Sequence, residues 1–403
     1  MSSERFHIVK GSPLAVFLYY TLPWLLAMVT ISSAGVIDGI FIGKIVGEGA
    51  LAAVNIVTPL FSLFFGVTLM LSVGGSVRAG KYLGEGDTER ARAIFTKTAL
   101  TVFIFALTVT VAGLLFAHHI ARLLGADPSI EAICVEYLTT VLPFSLFFLG
   151  AVCLSYFVRV SGSPLLASAA LIVTAIVHVA LEWVFIMHMG MGVRGAALST
   201  GISYVVGFVV VFAHFLRPSC PLKPTRHLGT MREVFAGAFN GLSDFANELS
   251  AALLVFLFNR IMMARLGVPG VAAFSVMNYL LWIGFMFFYG IGDGLGPLIS
   301  TNLGARRPER VAAFFHIGLS IILTMGVCLA LTMALWPDHL IGLILRRGDV
   351  AASDIALQFS RWFWPTFLFA GVNILLSAYF TSMHKPVHSI VSALSRSLVL
   401  PAI

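Results

Sequence analysis

YLGEGDTERAR (residues 82–92) returns as NLGARRPERVA (302–312), and this recurrence decides the fold. Gly84 matches Gly304, and Glu89-Arg90 matches Glu309-Arg310, at an offset of 220 (304 − 84). Ala52-Ala53 and Ala272-Ala273 share that offset. Farther along, Pro143, Ser155 and Pro164 match Pro365, Ser377 and Pro386 at an offset of 222. The same turn chemistry recurs in the same order, so the chain is an internal repeat.

Apolar runs separate these turns at approximately 14–43, 50–78, 93–117, 132–158, 165–188, 195–216, 234–264, 270–299, 312–336, 354–382 and from 387 onward. Of the 403 residues, 59% are hydrophobic and only 11% charged, with a mean hydropathy of +0.97. A soluble domain carries about 25% charged residues. A soluble enzyme and a single-anchor protein are both excluded, and the chain reads as an all-α polytopic membrane protein. The runs lack the short alternation of an outer-membrane barrel.

Of the 25 Lys and Arg, 17 fall on the N-terminal side of the membrane and 8 on the other. Lys97, Arg159 and Arg396 are counted among the 17. The excess predicts a cytoplasmic N-terminus in an inner membrane. The net charge of +7 thus reads as topology, and nucleic-acid binding is not indicated. Four scattered cysteines, Cys134, Cys153, Cys220 and Cys328, form neither a disulfide framework nor a zinc motif. No GxxxxGK[ST] loop is present for nucleotide hydrolysis.

The longest polar connector, RPSCPLKPTRHLGTMR (217–232), follows six spans. An even number of spans per copy predicts two parallel six-helix lobes about an axis along the membrane normal, with substrate bound between them. The expected division is 1–216 for the first lobe, 217–232 for the connector and 233–403 for the second lobe. Residue 403 matches residue 181 of the first copy (403 − 222). The second copy is thus expected to be truncated in helix 11, roughly 35–40 residues short by repeat symmetry.

A charge at the bilayer centre costs at least about 2.5–3.5 kcal/mol on insertion scales, which makes intramembrane acids functional candidates. Five fall within spans: Asp38, Glu182, Asp244, Glu248 and Asp293. At 1.5 Å per residue, Asp38 lies about 36 Å along span 1 and Glu182 about 26 Å along span 5. Thr200 lies about 8 Å into the returning span 6. His178 precedes Glu182 by four residues and faces the same way. These four side chains can meet in the outer half of the first lobe. Asp244 and Glu248, about 15 and 21 Å into span 7, form a second i,i+4 pair beside Asn240 and Asn247. That polar stripe is expected to face a central cavity and attract cations. Tyr279 and Trp282, with Phe285 and Phe288, could line the cavity through cation–π contact or pack as core. Asp293, in GIGDGLGP (290–297), reads as a gate or a broken helix end. Pro23 predicts a kink in span 1.

VIDGIFIGKIVGEGALAAVN (36–55), the 82–92 loop, RVSGSP (159–164) and VRGAALST (193–200) together resemble the multidrug and toxic compound extrusion (MATE) family. GLSDFANELSAALLVFLFN (241–259) is similar to its MepA-like/DinF-like branch. The resemblance implies twelve helices in two lobes and export of amphiphilic, often cationic, organic compounds by H+ or Na+ antiport. It implies no cofactor beyond the coupling ion, and it carries an ion site onto Asp38, Glu182 and Thr200. His178 stands where archaeal relatives carry Asn. Hard cations prefer oxygen ligands, and an imidazole beside a carboxylate suits proton handling, so H+ is favoured over Na+. The partners expected are small organic molecules and the bilayer, with the chain a monomer. The alternatives are a flippase for lipids or lipid-linked saccharides, whose cavity would be richer in Arg, and an intramembrane enzyme.

In archaeal relatives helix 1 bends near a proline matching Pro23. If protonation of Asp38 lets this helix shift, Pro23→Ala is expected to slow transport at equal expression. Unaltered turnover would show the kink to be static.

Overall fold

The structure, a computed structural model, describes residues 7–344 and 350–399. Every element among them is helical. The first lobe comprises α1 (Pro13–Phe41), α2 (Glu48–Glu85), α3 (Thr88–Leu115), α4 (Ala117–Leu123), α5 (Glu131–Val141), α6 (Ser145–Val160), α7 (Pro164–Glu182) and α8 (Gly192–Phe215). The connector then leads into α9 (Arg232–Asn240), α10 (Leu242–Gly267) and α11 (Pro269–Gly304). The remaining helices are α12 (Pro308–Leu335), α13 (Pro337–Gly342), α14 (Val350–Phe363), α15 (Thr366–Ser382) and α16 (Pro386–Leu394). Nine helical segments among the described residues are long and apolar enough to cross a membrane, and α14 with α15 makes a tenth, bent by 55°. The chain is a polytopic membrane protein of two lobes.

The repeat is visible in the turns. Proline opens α7 at Pro164 and α16 at Pro386, where its missing N–H is harmless. Two residues earlier the backbone is left-handed in both copies, at Gly162 (φ 94°) and His384 (φ 55°). Pro143 and Pro365 stand at the matching breaks between α5 and α6 and between α14 and α15. Gly267, at φ 65° and ψ −157°, ends α10 in a conformation open only to glycine. The chain's apolar run continues across it, so hydropathy alone does not place the break.

The lobes meet at the end that carries the connector. A Cβ on Gly84 would lie 2.0 Å from the Thr301 carbonyl oxygen, and one on Gly304 would lie 2.0 Å from the Lys81 carbonyl oxygen. Lys81 and Thr301 are themselves repeat partners (301 − 81 = 220), so the duplicated loops interlock backbone to backbone. Such approach is the usual role of small residues where helices pack in lipid.

Each lobe's first helix begins in the other lobe's core. Ile8, Val16, Phe17 and Tyr20 pack with Phe288, Leu295 and Phe314, whereas Trp24 packs with the first-lobe core. The changeover falls at Pro23. Reciprocally, Val234 on α9 is buried in the first-lobe core, and Gly237 and Gly241 abut the backbone of Gly74 and Met70 on α2. Sequence reading expected one span over 234–264. The structure divides it at Gly241 because α9 is seated on α2.

The connector is strapped to α3. Arg92 Nε donates to the Pro221 carbonyl at 2.9 Å, and Thr225 N–H donates to Thr96 Oγ1 at 3.1 Å. Lys97, with its side chain fully buried, meets Glu233 Oε2 at 2.6 Å. Burial would raise the Glu233 carboxyl, but hydrogen bonds from Lys97 and Tyr82 hold it below the usual range. Three cations assigned to polar segments by the charge count therefore lie within the body instead: Lys97 here, Arg159 at 1% exposure, and Arg396, which bonds Asn247 and Tyr289. Each is drawn in by a specific acceptor or ring that hydropathy does not register.

Gly84→Val forces its branched side chain against backbone and should weaken the sealed arrangement by about 1–3 kcal/mol. A cysteine placed at Ser300, fully buried in the seal, is then expected to react faster with a water-soluble maleimide. An unchanged rate would mean the seam is not what closes this end.

Candidate functional site

Asp38, His178, Glu182 and Thr200 converge at the end of the first lobe opposite the connector. His178 Nε2 lies 3.8 Å from Asp38 Oδ1 and 3.9 Å from Glu182 Oε1. It also hydrogen-bonds Thr200 Oγ1 at 3.1 Å, while the Thr200 hydroxyl donates to the Ala196 carbonyl at 2.9 Å. These two contacts give the imidazole Nε2 the donor role, since the Thr200 proton is engaged on its own helix.

The local backbone explains the convergence. Both acids sit just before a widened helical turn, Ile42–Val46 after Asp38 and Trp183–His188 after Glu182. In each, an N–H reaches back five residues: Gly47 to Ile42 O at 2.9 Å, and Met189 to Val184 O at 3.0 Å. Such π-type turns recur at functional sites because they displace the helix register locally. The two turns touch one another, which brings α1 and α7 together at this depth.

Glu182 has a fully buried side chain, and among the described residues neither of its carboxyl oxygens has a hydrogen-bond partner. A buried ionised carboxylate without a partner is strongly disfavoured. The chamber therefore calls for a positive charge or a proton. Asp38, His178 and Glu182 each offer one ligand atom, all within 4.8 Å of one another, so the set could also hold a small cation. Two residues that sequence reasoning missed complete it. The Tyr137 phenol lies against the Thr200 hydroxyl and within electrostatic reach of Asp38 and Glu182. Tyr204 is within reach of Asp38 and stacks on Phe148 at 4.5 Å. In apolar spans rich in aromatics, no spacing distinguished these two from core.

The expected stripe on span 7 divides. Asn240, on α9, donates to the Thr381 carbonyl at 2.8 Å and is 2% exposed, so it ties helices together. Asn247 accepts from Arg396 at 2.8 Å. Glu248 packs its Cβ and Cγ about Gly66 of α2, at 3.5 and 3.6 Å from a notional Cβ there. Asp244 instead lines a small cavity of about 30 Å³ with Asp293, Arg159 and Tyr156. Asp293 accepts from Trp24 Nε1 at 3.2 Å, the residue after Pro23. Tyr279 and Trp282 lie outside the second-lobe core at 61% and 48% exposure. Phe285 and Phe288 pack inside that core, so a single aromatic wall of all four is not formed.

Two lobes of duplicated helices, joined by a strapped connector and carrying buried acids, define a membrane transporter rather than an enzyme. The MatE family profile matches residues 23–184 and 248–403. The chain belongs to the MatE family. Among its relatives, multidrug export protein MepA of Staphylococcus aureus is 21% identical over 380 residues, 94% of this chain and 83% of MepA. MepA of Staphylococcus saprophyticus is 20% identical over 376 residues, covering 93% and 82%. A solved MOP superfamily transporter from Pyrococcus furiosus superposes with a TM-score of 0.89 at 20% identity, over 98% of this chain and 88% of that one. A multidrug resistance MATE family transporter solved in an outward-facing conformation gives 0.89 at 21%, with the same coverage. These superpositions show the fold.

Thr200→Val leaves the half-buried His178 Nε2 without its hydrogen bond. The expected result is a loss of about 1–3 kcal/mol, read as a lower Tm of the purified protein. An unmoved Tm would mean that the bond contributes nothing to the chamber.

Proposed function

We propose that this transporter exports amphiphilic organic cations by alternating access, coupled to inward movement of H+ through the Asp38, His178, Glu182 and Thr200 chamber. The carrying observation is Glu182: fully buried, within 4 Å of the His178 imidazole, and beside the Asp38 carboxyl that the same imidazole approaches. Three titratable groups in one chamber can share a proton whose arrival changes which contacts hold α1. The imidazole in the donor set favours H+, whereas Na+ prefers an all-oxygen shell. In this reading the connector end is cytoplasmic and the chain works as a monomer in the inner membrane. Cationic cargo follows from the acids that prevail among the helices, and the relatives named for multidrug export support export of small organic compounds.

A flippase for an anionic lipid-linked headgroup is favoured by one observation. Arg396, inside the second lobe, keeps Nη1 without a partner among the described residues. Translocation of a fluorescent lipid by the reconstituted protein would support that reading.

Efflux from proteoliposomes under separate pH and sodium gradients tests the coupling. The pH gradient alone is expected to drive uphill movement of a cationic dye, and the sodium gradient alone is not. Asp38→Asn is expected to abolish gradient-driven efflux while the protein still assembles. Sodium-driven efflux, or normal efflux by the variant, would overturn the assignment.

A further inference from the structure

Arg159 closes α6, in a segment whose composition reads as a surface turn, yet it is 1% exposed. Its guanidinium carbon lies 4.0 Å from the Trp24 ring centroid and 4.4 Å from that of Tyr156. Nη1 donates to the Asp293 backbone carbonyl at 3.2 Å, and Nε has no hydrogen-bond partner among the described residues. Asp293 takes its side-chain hydrogen bond from Trp24, and Asp244 faces Asp293 across the same cavity. The arrangement has two acids, one cation and two aromatic rings about that cation. Its members come from α1 and α6 on one side and from α10 and α11 on the other.

Two aromatic faces and nearby carboxylates are what a site for an organic cation requires. Here that site is filled by a side chain of the protein itself. A second cavity, of about 590 Å³, lies on the connector side of it and is lined by Tyr19, Tyr20, Val160, Ser161, Pro221 and Thr301. Val160 lines both spaces, so the two adjoin at that residue.

We propose that Arg159 is a resident cation holding the place of cationic cargo at Trp24, Tyr156, Asp244 and Asp293. Cargo entering from the larger cavity displaces the guanidinium, taking over its two aromatic faces and its place beside the two carboxylates. Trp24 then loses the guanidinium that links α1 to α6 and keeps its direct hydrogen bond to Asp293. This proposal rests on the cationic-cargo reading and adds how cargo is sensed. Trp24 and Asp38 lie on one helix, about 21 Å apart along its axis. Loss of the Arg159 contact therefore removes one of the two ties on Trp24, on the helix that carries the coupling acid.

The test is equilibrium binding of tetraphenylphosphonium to the full chain in nanodiscs without any gradient. Removing the competitor in Arg159→Gln is expected to tighten binding by roughly fivefold or more. Arg159→Lys keeps the charge but loses the planar stacking and should tighten it less. Equal or weaker binding by a monodisperse Arg159→Gln protein would overturn the proposal. Should that variant fail to assemble, Trp24→Phe and Asp293→Asn decide: each is expected to weaken binding several-fold, and unchanged binding in both overturns it. If neither wild type nor Arg159→Gln binds the probe, this proposal and the cationic-cargo reading fall together. Binding without gradient-driven efflux overturns the coupling assignment alone.

Discussion

A charge inside hydrocarbon persists only where another group answers it. That constraint organises this protein around one helix. α1 passes Trp24 to the cluster of Arg159 and Asp293, then carries Asp38 to His178 at its far end. Each contact ties α1 to a different partner, α11 near the connector end and α7 near the opposite end. The two contacts therefore hold the same helix at two depths, through different partners. Pro23 lies where α1 leaves the second-lobe core for the first. A residue that removes a backbone hydrogen bond is thus placed where the chain changes allegiance.

The seal between the lobes obeys a different rule. In lipid, apolar side chains gain little by touching one another, and close backbone packing supplies the attraction. The Gly84 and Gly304 seam brings each loop's backbone where a side chain would stand. Because the two loops are copies, each supplies both the groove and the ridge. This gives a physical reason for the match of Gly84 and Gly304 between the copies. A lipid-facing residue needs only to be apolar, whereas a residue in the seam has one permitted size.

Much of this was legible in advance, and for physical reasons. Helical rise alone put Asp38, Glu182 and Thr200 in the outer half of the first lobe, and a spacing of four put His178 on the face of Glu182; the structure brings all four together. Tyr137 and Tyr204 were not legible because a phenol on an apolar helix has the pattern of a core aromatic. Arg159 misled because charge beside a glycine turn has the composition of a loop. Only the positions of Trp24 and Tyr156, far away in sequence, reveal that its charge is held between rings. Asn240 and Asp244 lie on either side of the break at Gly241: Asn240 spends its amide on the Thr381 carbonyl, whereas Asp244 lines the cavity it shares with Asp293.

The charge balance among the helices bears on what such a molecule can carry. Asp38, Glu182, Asp244, Glu248 and Asp293 stand against Arg159, Arg396 and Arg78, whose Nε is buried on α2, so these acids outnumber the cations set among them. Lys97 does not alter it, being matched by Glu233. A low-dielectric interior disfavours an uncompensated acid. In the antiport reading proposed above, a proton at Glu182 and a cation beside Asp244 answer that same need at different depths, and α1 is the helix that reaches both places.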